Sequence, residues 1–169
     1  PLGSMAEFMA RESSILPVWE PRWFYWHFTF GEQQERDFKN CHRPIVRLMK
    51  PDAKVYPEAV KEQSQRQRNG DKRAKEGGCV PGDIWTFPRV CGTFKERRKW
   101  IPNQHPEALL ERIVKFSAKP GDLVIDLCGG SFTTARVCQR LGIDCISIEI
   151  SDYHCRQGAE ELGVKVEVL

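Results

Sequence analysis

Leu123-Val124-Ile125-Asp126-Leu127-Cys128-Gly129-Gly130-Ser131 is the stretch on which the fold turns. A short apolar run that ends in an acid suits a strand of a parallel sheet, buried on both faces. The glycine pair makes a tight turn, because glycine accepts backbone angles that other residues resist. Thr133 to Leu141 reads as a helix ended by Gly142, and Cys145-Ile146-Ser147-Ile148-Glu149-Ile150 as the next strand. Ser151 caps a further helix running to about Leu162, and Val164 to Leu169 reads as a last strand. Upstream, Asn103-Gln104-His105-Pro106-Glu107 reads as a helix entry with proline in the first turn. Leu109, Leu110, Ile113 and Val114 then share one helical face, and Lys119-Pro120-Gly121-Asp122 is a turn. This α-β-α-β-α-β order requires parallel strands joined by right-handed crossovers. The expected class is α/β, a partial doubly wound sheet with helices on both faces.

The layout has a chemical reading. Asp126 ends one strand, and Glu149 lies 23 positions on, at the tip of the next. Glycines let a ligand approach the backbone at the carboxyl end of the first strand, and the following helix start presents free N–H groups. An acid at the second tip can accept hydrogen bonds from both hydroxyls of a ribose. The turn is not Gly-x-Gly-x-x-Gly, and no phosphate-cradling lysine follows it. These features favour an adenosyl ligand without phosphates, such as S-adenosylmethionine. A doubly wound domain of other chemistry with a glycine turn stays open on this segment alone.

Residues 1–100 differ in character. They hold 19 basic and 13 acidic side chains, against 7 and 10 in residues 101–169. The first part is therefore the one suited to meet a polyanion. Trp19, Trp23, Phe24, Tyr25, Trp26, Phe28 and Phe30 form an aromatic run that suits a buried strand, stopped by Gly31. Ile45 to Met49 reads as a second strand, residues 57–78 as a polar loop or solvated helix, and Asp83-Ile84-Trp85-Thr86-Phe87-Pro88 as a short motif. Arg89, Lys95, Arg97, Arg98 and Lys99 form a basic cluster. The longest strongly apolar-aromatic run, Trp23 to Phe30, is far short of the roughly 20 residues of a membrane span. Seven cysteines without a Cys-x2-Cys pair suggest thiols in a reducing cytoplasm, and no metal site is expected. Pro1 to Phe8 read as the remnant of a cleaved tag, with Met9 as the expected start of the natural segment.

Several ordered motifs carry a resemblance. Gln104-His105-Pro106-Glu107-Ala108-Leu109-Leu110-Glu111-Arg112-Ile113, Pro120 to Asp126, Gly130-Ser131, Thr133-Thr134 and Ile148-Glu149-Ile150-Ser151 closely resemble the amino-group DNA methyltransferases. The match is to the circularly permuted kind, whose catalytic half precedes the cofactor half. Arg89 to Arg98 is similar to the segment these enzymes carry before the cofactor half, and Trp26-His27-Phe28-Thr29-Phe30-Gly31 to a late strand of the catalytic half. The resemblance implies methylation of adenine N6 or cytosine N4 in DNA, as in restriction-modification, in the cytoplasm of a bacterial, archaeal or phage-infected cell. It implies S-adenosylmethionine held by Gln104, His105, Pro106, Asp126, Leu127, Cys128, Gly129, Gly130, Ser131, Thr133, Glu149 and Ile150. It places Arg89, Lys95, Arg97, Arg98 and Lys99 on DNA phosphates, which supply affinity and not sequence choice. Residues 9–102 would be a remnant of the catalytic half and 103–169 the cofactor half.

Two departures qualify what the resemblance implies. At the turn the family has Asp-Pro-Phe-x-Gly-Ser-Gly-Thr, so Leu127 replaces a proline and Phe132 a glycine. A phenyl ring then stands where the backbone approaches the cofactor. The family's Asp/Asn/Ser-Pro-Pro-aromatic segment, which handles the flipped base, is not found in these 169 residues, which contain no Pro-Pro. Two central strands are expected to be missing with it. The gap then needs a second chain, self-association or a rearranged sheet. The chain alone is expected not to methylate, and no catalytic residue is assigned to it. The alternative expectation is a non-catalytic, decayed module that binds DNA or a protein.

Overall fold

The computed structural model describes residues 20–32, 34–74 and 76–167. Pro1 to Phe8, expected to be a tag remnant, Met9, Trp19, Lys75 and the last two residues of the expected final strand lie outside them. Strand β1 (Glu20–Glu32) pairs antiparallel with β2 (Asn40–Met49) and parallel with β3 (Ile84–Thr86). The run alternates up to Thr29 as a half-buried strand should: Trp26 and Phe28 are buried on one face and Tyr25 and Thr29 are exposed on the other, whereas Phe30, on the face of Trp26, is exposed. The polar stretch after β2 holds a 3-10 turn at Pro57–Val60 and one helical turn at Gln65–Arg68. Ser64 and Gln67 satisfy each other's backbone N–H groups there in a reciprocal cap.

Helix α1 (Glu107–Ser117) leads into β4 (Leu123–Asp126), α2 (Thr133–Leu141), β5 (Asp144–Ser147) and α3 (Asp152–Leu162). Strands β4 and β5 are parallel, in the register Leu123↔Asp144 to Asp126↔Ser147. Two apolar clusters form around α1. Leu109 joins Trp26 and Phe28 under the first sheet, with Ile113, Trp85 and Phe87 packed against them. Val114 joins Val137, Cys138 and Ile143 beside β4 and β5, and Leu110 packs against both clusters. One amphipathic helix thus fastens two separate sheets, each buried apolar side chain contributing roughly 1.5–3 kcal/mol.

The α/β class and the parallel β4–β5 pair are as the sequence indicates, but three expectations need correction. The β4–β5 sheet is covered on one face only. Val124 and Cys145 face the helices, while Leu123, Ile125 and Ile146 are 54, 56 and 50% exposed on the other face. The second layer of helices is not among the described residues. The strand expected over Cys145–Ile150 ends at Ser147, although Ile148 N–H still bonds the Asp126 carbonyl. Val164 to Glu167 form no strand, and Val164 N–H instead bonds the Ala159 carbonyl, closing α3.

Phe132 has φ 54°, the only non-glycine residue at positive φ among the described residues, where the resembling family carries glycine. The left-handed angle costs about 1–2 kcal/mol, and burial of the ring offsets it. The ring is 7% exposed and lies against Gly129 and Gly158 of α3, so close to Gly158 that a Cβ there would overlap it. It is tucked between turn and helix. Gly158→Ala is therefore expected to cost about 1–3 kcal/mol by overpacking. Thermal unfolding should show a Tm roughly 3–9 °C lower, and the loss should be non-additive with Phe132→Leu.

Candidate cofactor site

The β-ladder continues past the strand ends and builds the site. Ile148 N–H bonds the Asp126 carbonyl at 2.8 Å, and Gly129 N–H bonds the Ile148 carbonyl at 2.7 Å. Phe132 N–H then bonds the Gly129 carbonyl at 2.7 Å, closing the turn. The Asp126 carboxylate accepts Cys128 N–H at 3.1 Å. The Glu149 carboxylate reaches across the same turn, one oxygen accepting Gly130 N–H at 2.8 Å and the other Ser151 N–H at 3.0 Å. Asp126, at the end of β4, and Glu149, two residues past β5, therefore flank the glycine bend. Ionised carboxylate oxygens have about four lone-pair positions between them, so Glu149 keeps acceptor capacity beyond these two bonds.

Burial and charge set the character of each group. The Glu149 side chain is 12% exposed. Ser151 N–H, together with Gly130 N–H and nearby His154, holds its carboxyl below the ordinary value of 4.5, against some desolvation. His105 is pulled below its ordinary value by desolvation beside Trp26, with Arg43 in the same direction and Asp126 opposing. Ser131 and Thr133 are buried and share a 2.8 Å hydroxyl bond, and Thr133 reaches the His105 carbonyl at 3.5 Å. Pro106 is fully buried. Leu127, Cys128 and Ile150 are exposed around the bend. No side chain caps α2, which leaves its first-turn N–H groups as donors.

Gln104 binds the chain leading to the site, accepting Arg98 N–H at 2.8 Å and donating to the Glu96 carbonyl at 2.7 Å. A groove of about 1070 Å³ runs along β5 and α3, with Phe132, Ile148, Glu149, Ile150 and Cys155 among its lining. Of the expected cofactor residues, Asp126, Gly129, Gly130 and Glu149 meet at the bend, and His105 joins through Thr133. Glu149 and Ile150 line the groove, and Gln104 turns instead to Arg98 and Glu96. The basic cluster is dispersed. Lys95 and Lys99 are exposed and Arg97 is half-buried. Arg89 stacks 5.3 Å from the Phe28 ring centre. Arg98 pairs with Glu161 at 2.5 Å. Arg136, Glu161 and Trp100 also belong to the site's surroundings. Reading the sequence did not find them, because their partners lie 25 to 61 residues away with no periodic signal.

Glu149 binds its proton less tightly in the folded chain than in the unfolded one. Its contribution to stability is complete above the ordinary value of 4.5 and is lost as pH falls through the lowered folded value. Glu149→Gln should cost about 1–3 kcal/mol at neutral pH. It should also flatten the acid limb of stability below pH 4.5, as measured by urea unfolding across pH.

The profile of a family described as DNA methylase matches residues 6–160. The chain is 37% identical over 145 residues to the DNA adenine methyltransferase YhdJ of Escherichia coli K12, covering 79% of this chain and 49% of that protein. It is 30% identical over 144 residues to the type II methyltransferase M.HpaI of Haemophilus parainfluenzae, covering 83% and 44%. The chain thus spans about half the length of these relatives. Its fold is similar to that of the M1.HpyAVI–SAM complex, with TM-score 0.64 and 20% identity over 94% of this chain and 71% of that one. It is also similar to the cytosine-N4-specific PvuII DNA methyltransferase, with TM-score 0.60 and 16% identity over 88% and 52%. On the extent of the family match, this chain belongs to the N6/N4 DNA methylase family.

Proposed function

We propose that this chain is the cofactor-binding and DNA-facing part of a site-specific DNA methyltransferase acting on adenine N6 or cytosine N4. S-adenosylmethionine would supply the methyl group. The observation that carries this reading is the Glu149 carboxylate joined to the Gly130 N–H across the bend, with Asp126 on the neighbouring strand. The residues present fit the cofactor. Glu149 retains acceptor capacity for ribose hydroxyls. The uncapped start of α2, beside the segment Gln104 to Pro106, offers N–H donors to the methionine carboxylate. The Phe132 ring packs against Gly129 and Gly158, which leaves the outer side of the bend to Leu127 and Ile150. Residues 9–102 would carry the DNA-facing surface, where Lys95, Arg97 and Lys99 are the better placed of the basic cluster.

Methyl transfer also needs the Pro-Pro-aromatic segment, contributed by polypeptide outside these 169 residues. Support for this comes from strands β2 and β4, each paired on one edge only among the described residues. It comes also from Leu123, Ile125 and Ile146, apolar and bare on a parallel sheet that ordinarily has both faces covered. A second chain or a self-paired copy could occupy that place. No helix among the described residues is long and apolar enough to cross a membrane, and the bacterial relatives support a location in the bacterial cytoplasm.

Calorimetry with S-adenosylmethionine is expected to show binding that Glu149→Ala weakens on the order of 100-fold. DNA affinity should fall with salt, and Lys95→Ala, Arg97→Ala and Lys99→Ala together should reduce the log–log slope by about 2–3. Methylation should appear only when a polypeptide bearing the Pro-Pro-aromatic segment is added. Robust methylation by the chain alone would refute that part. No cofactor binding with salt-sensitive DNA affinity intact would identify a non-catalytic module instead.

A further inference from the structure

We infer that Glu161 is a positioning residue whose carboxylate clamps residues 96–105 against the glycine bend. The purpose assigned to this clamp rests on the cofactor reading above. Its existence rests on the ion pairs alone.

Residues 96–105 contain no helix or strand, yet they are held closely. Ile101 is 7% exposed, and its Cδ1 lies 3.8 Å from where a Cβ on Gly130 would stand. Gln104 bonds Arg98 and Glu96 within the segment, the Glu96 carboxylate accepts the Glu107 N–H and Thr133 reaches the His105 carbonyl, but none of these bonds holds Trp100 or the Arg98 Nε. Three donors from two directions converge on Glu161, at the end of α3. Arg98 Nε is 2.5 Å and Trp100 Nε1 2.9 Å from its oxygens, both from the irregular segment. Arg136 Nη1 of α2 is 2.9 Å away. The other amine of that same guanidinium donates to the carbonyl of Ser131, within the bend. A single carboxylate therefore links the segment on one side, through Arg136, to the bend on the other.

Charge makes the carboxylate necessary. Burial weakens the hold of Arg136 on its proton, and repulsion by Arg98 adds to that; Glu161 and Glu107 oppose both effects. Without Glu161, the Arg98 side chain would keep one other bond, to the Glu96 carbonyl. Arg136 would keep Ser131 and the 3.8 Å approach of Glu107. The Arg98 and Glu161 side chains are 24% and 32% exposed. Such pairs contribute little to global stability. Their effect is local order at the bend, where small displacements matter for a bound ligand.

The test compares Glu161→Ala, Glu161→Gln and Glu161→Ala/Arg98→Met with the unaltered 169-residue chain. Residue-resolved hydrogen exchange follows the Ile101 and Gly130 amides and the Trp100 indole N–H, the last identified by Trp100→Phe. In Glu161→Ala these protons should exchange at least about 10-fold faster, while those of Val137 and Cys138 stay unchanged. Glu161→Gln, which keeps an acceptor oxygen, should fall between. Adding Arg98→Met removes one of the two facing cations and should slow Gly130 exchange again, without restoring Trp100. Unchanged exchange at Ile101, Gly130 and Trp100 in Glu161→Ala would overturn the inference, as would acceleration spread evenly over the whole chain in both single variants. If the unaltered chain binds S-adenosylmethionine, Glu161→Ala should weaken binding about 10-fold, with partial recovery in Glu161→Gln. Absence of cofactor binding by the unaltered chain would count against the cofactor reading and leave the exchange result standing.

Discussion

The bond from Gly130 N–H to the Glu149 carboxylate joins the two sides of the candidate cofactor site. Without it, the turn after β4 would be tied to the neighbouring strand tip by the Gly129 N–H to Ile148 carbonyl bond alone. With it, the bend is held from both strand tips, because the same stretch of backbone also bonds Asp126 to Ile148 and Ile148 to Gly129. The carboxylate does two things at once. It satisfies two backbone donors, and it leaves acceptor capacity at the point where a polar ligand would sit. A charged acceptor held by backbone N–H groups makes a stronger bond than a neutral one, which lets a bend with glycine at two successive positions remain ordered.

Around that bond the packing is one-sided. Helix α1 supplies apolar side chains to two sheets in turn, Leu109 to the first and Val114 to the second. The opposite face of the β4–β5 pair shows Leu123, Ile125 and Ile146 to solvent. Such side chains gain their usual burial energy only when another layer covers them. The same one-sidedness explains why Val164 to Glu167 stay out of a ladder. The free edge of β5 offers them backbone bonds, but the sheet there is covered on one face only, so their valines stay exposed.

Some of the site was legible in the residues. Asp126, the glycine pair and Glu149 carry their meaning in local order, because strand tips and tight turns are short-range features. Phe132 was legible as a departure, but where its ring goes was not. Its left-handed backbone and the bare Cα of Gly158, 26 positions later, together let the ring lie under α3. Arg98 shows the opposite case. In sequence it is one of five basic residues in a run suited to phosphate, whereas in space it is drawn to Glu161, 63 positions on. Charge composition gives the sign of a surface, and only three-dimensional proximity shows which cations are already paired.

The succession from α1 to α3, the parallel pair, the glycine bend and its two acids follow from the amino-acid sequence by itself, since periodicity, turn chemistry and capping act over a few residues. The division into two sheets on one helix, the seat of the Phe132 ring and the joining of Arg98, Trp100 and Arg136 through Glu161 were decided by tertiary structure alone. The partners of Glu161 are 25 to 63 residues away, and at such separations contact is set by how layers pack.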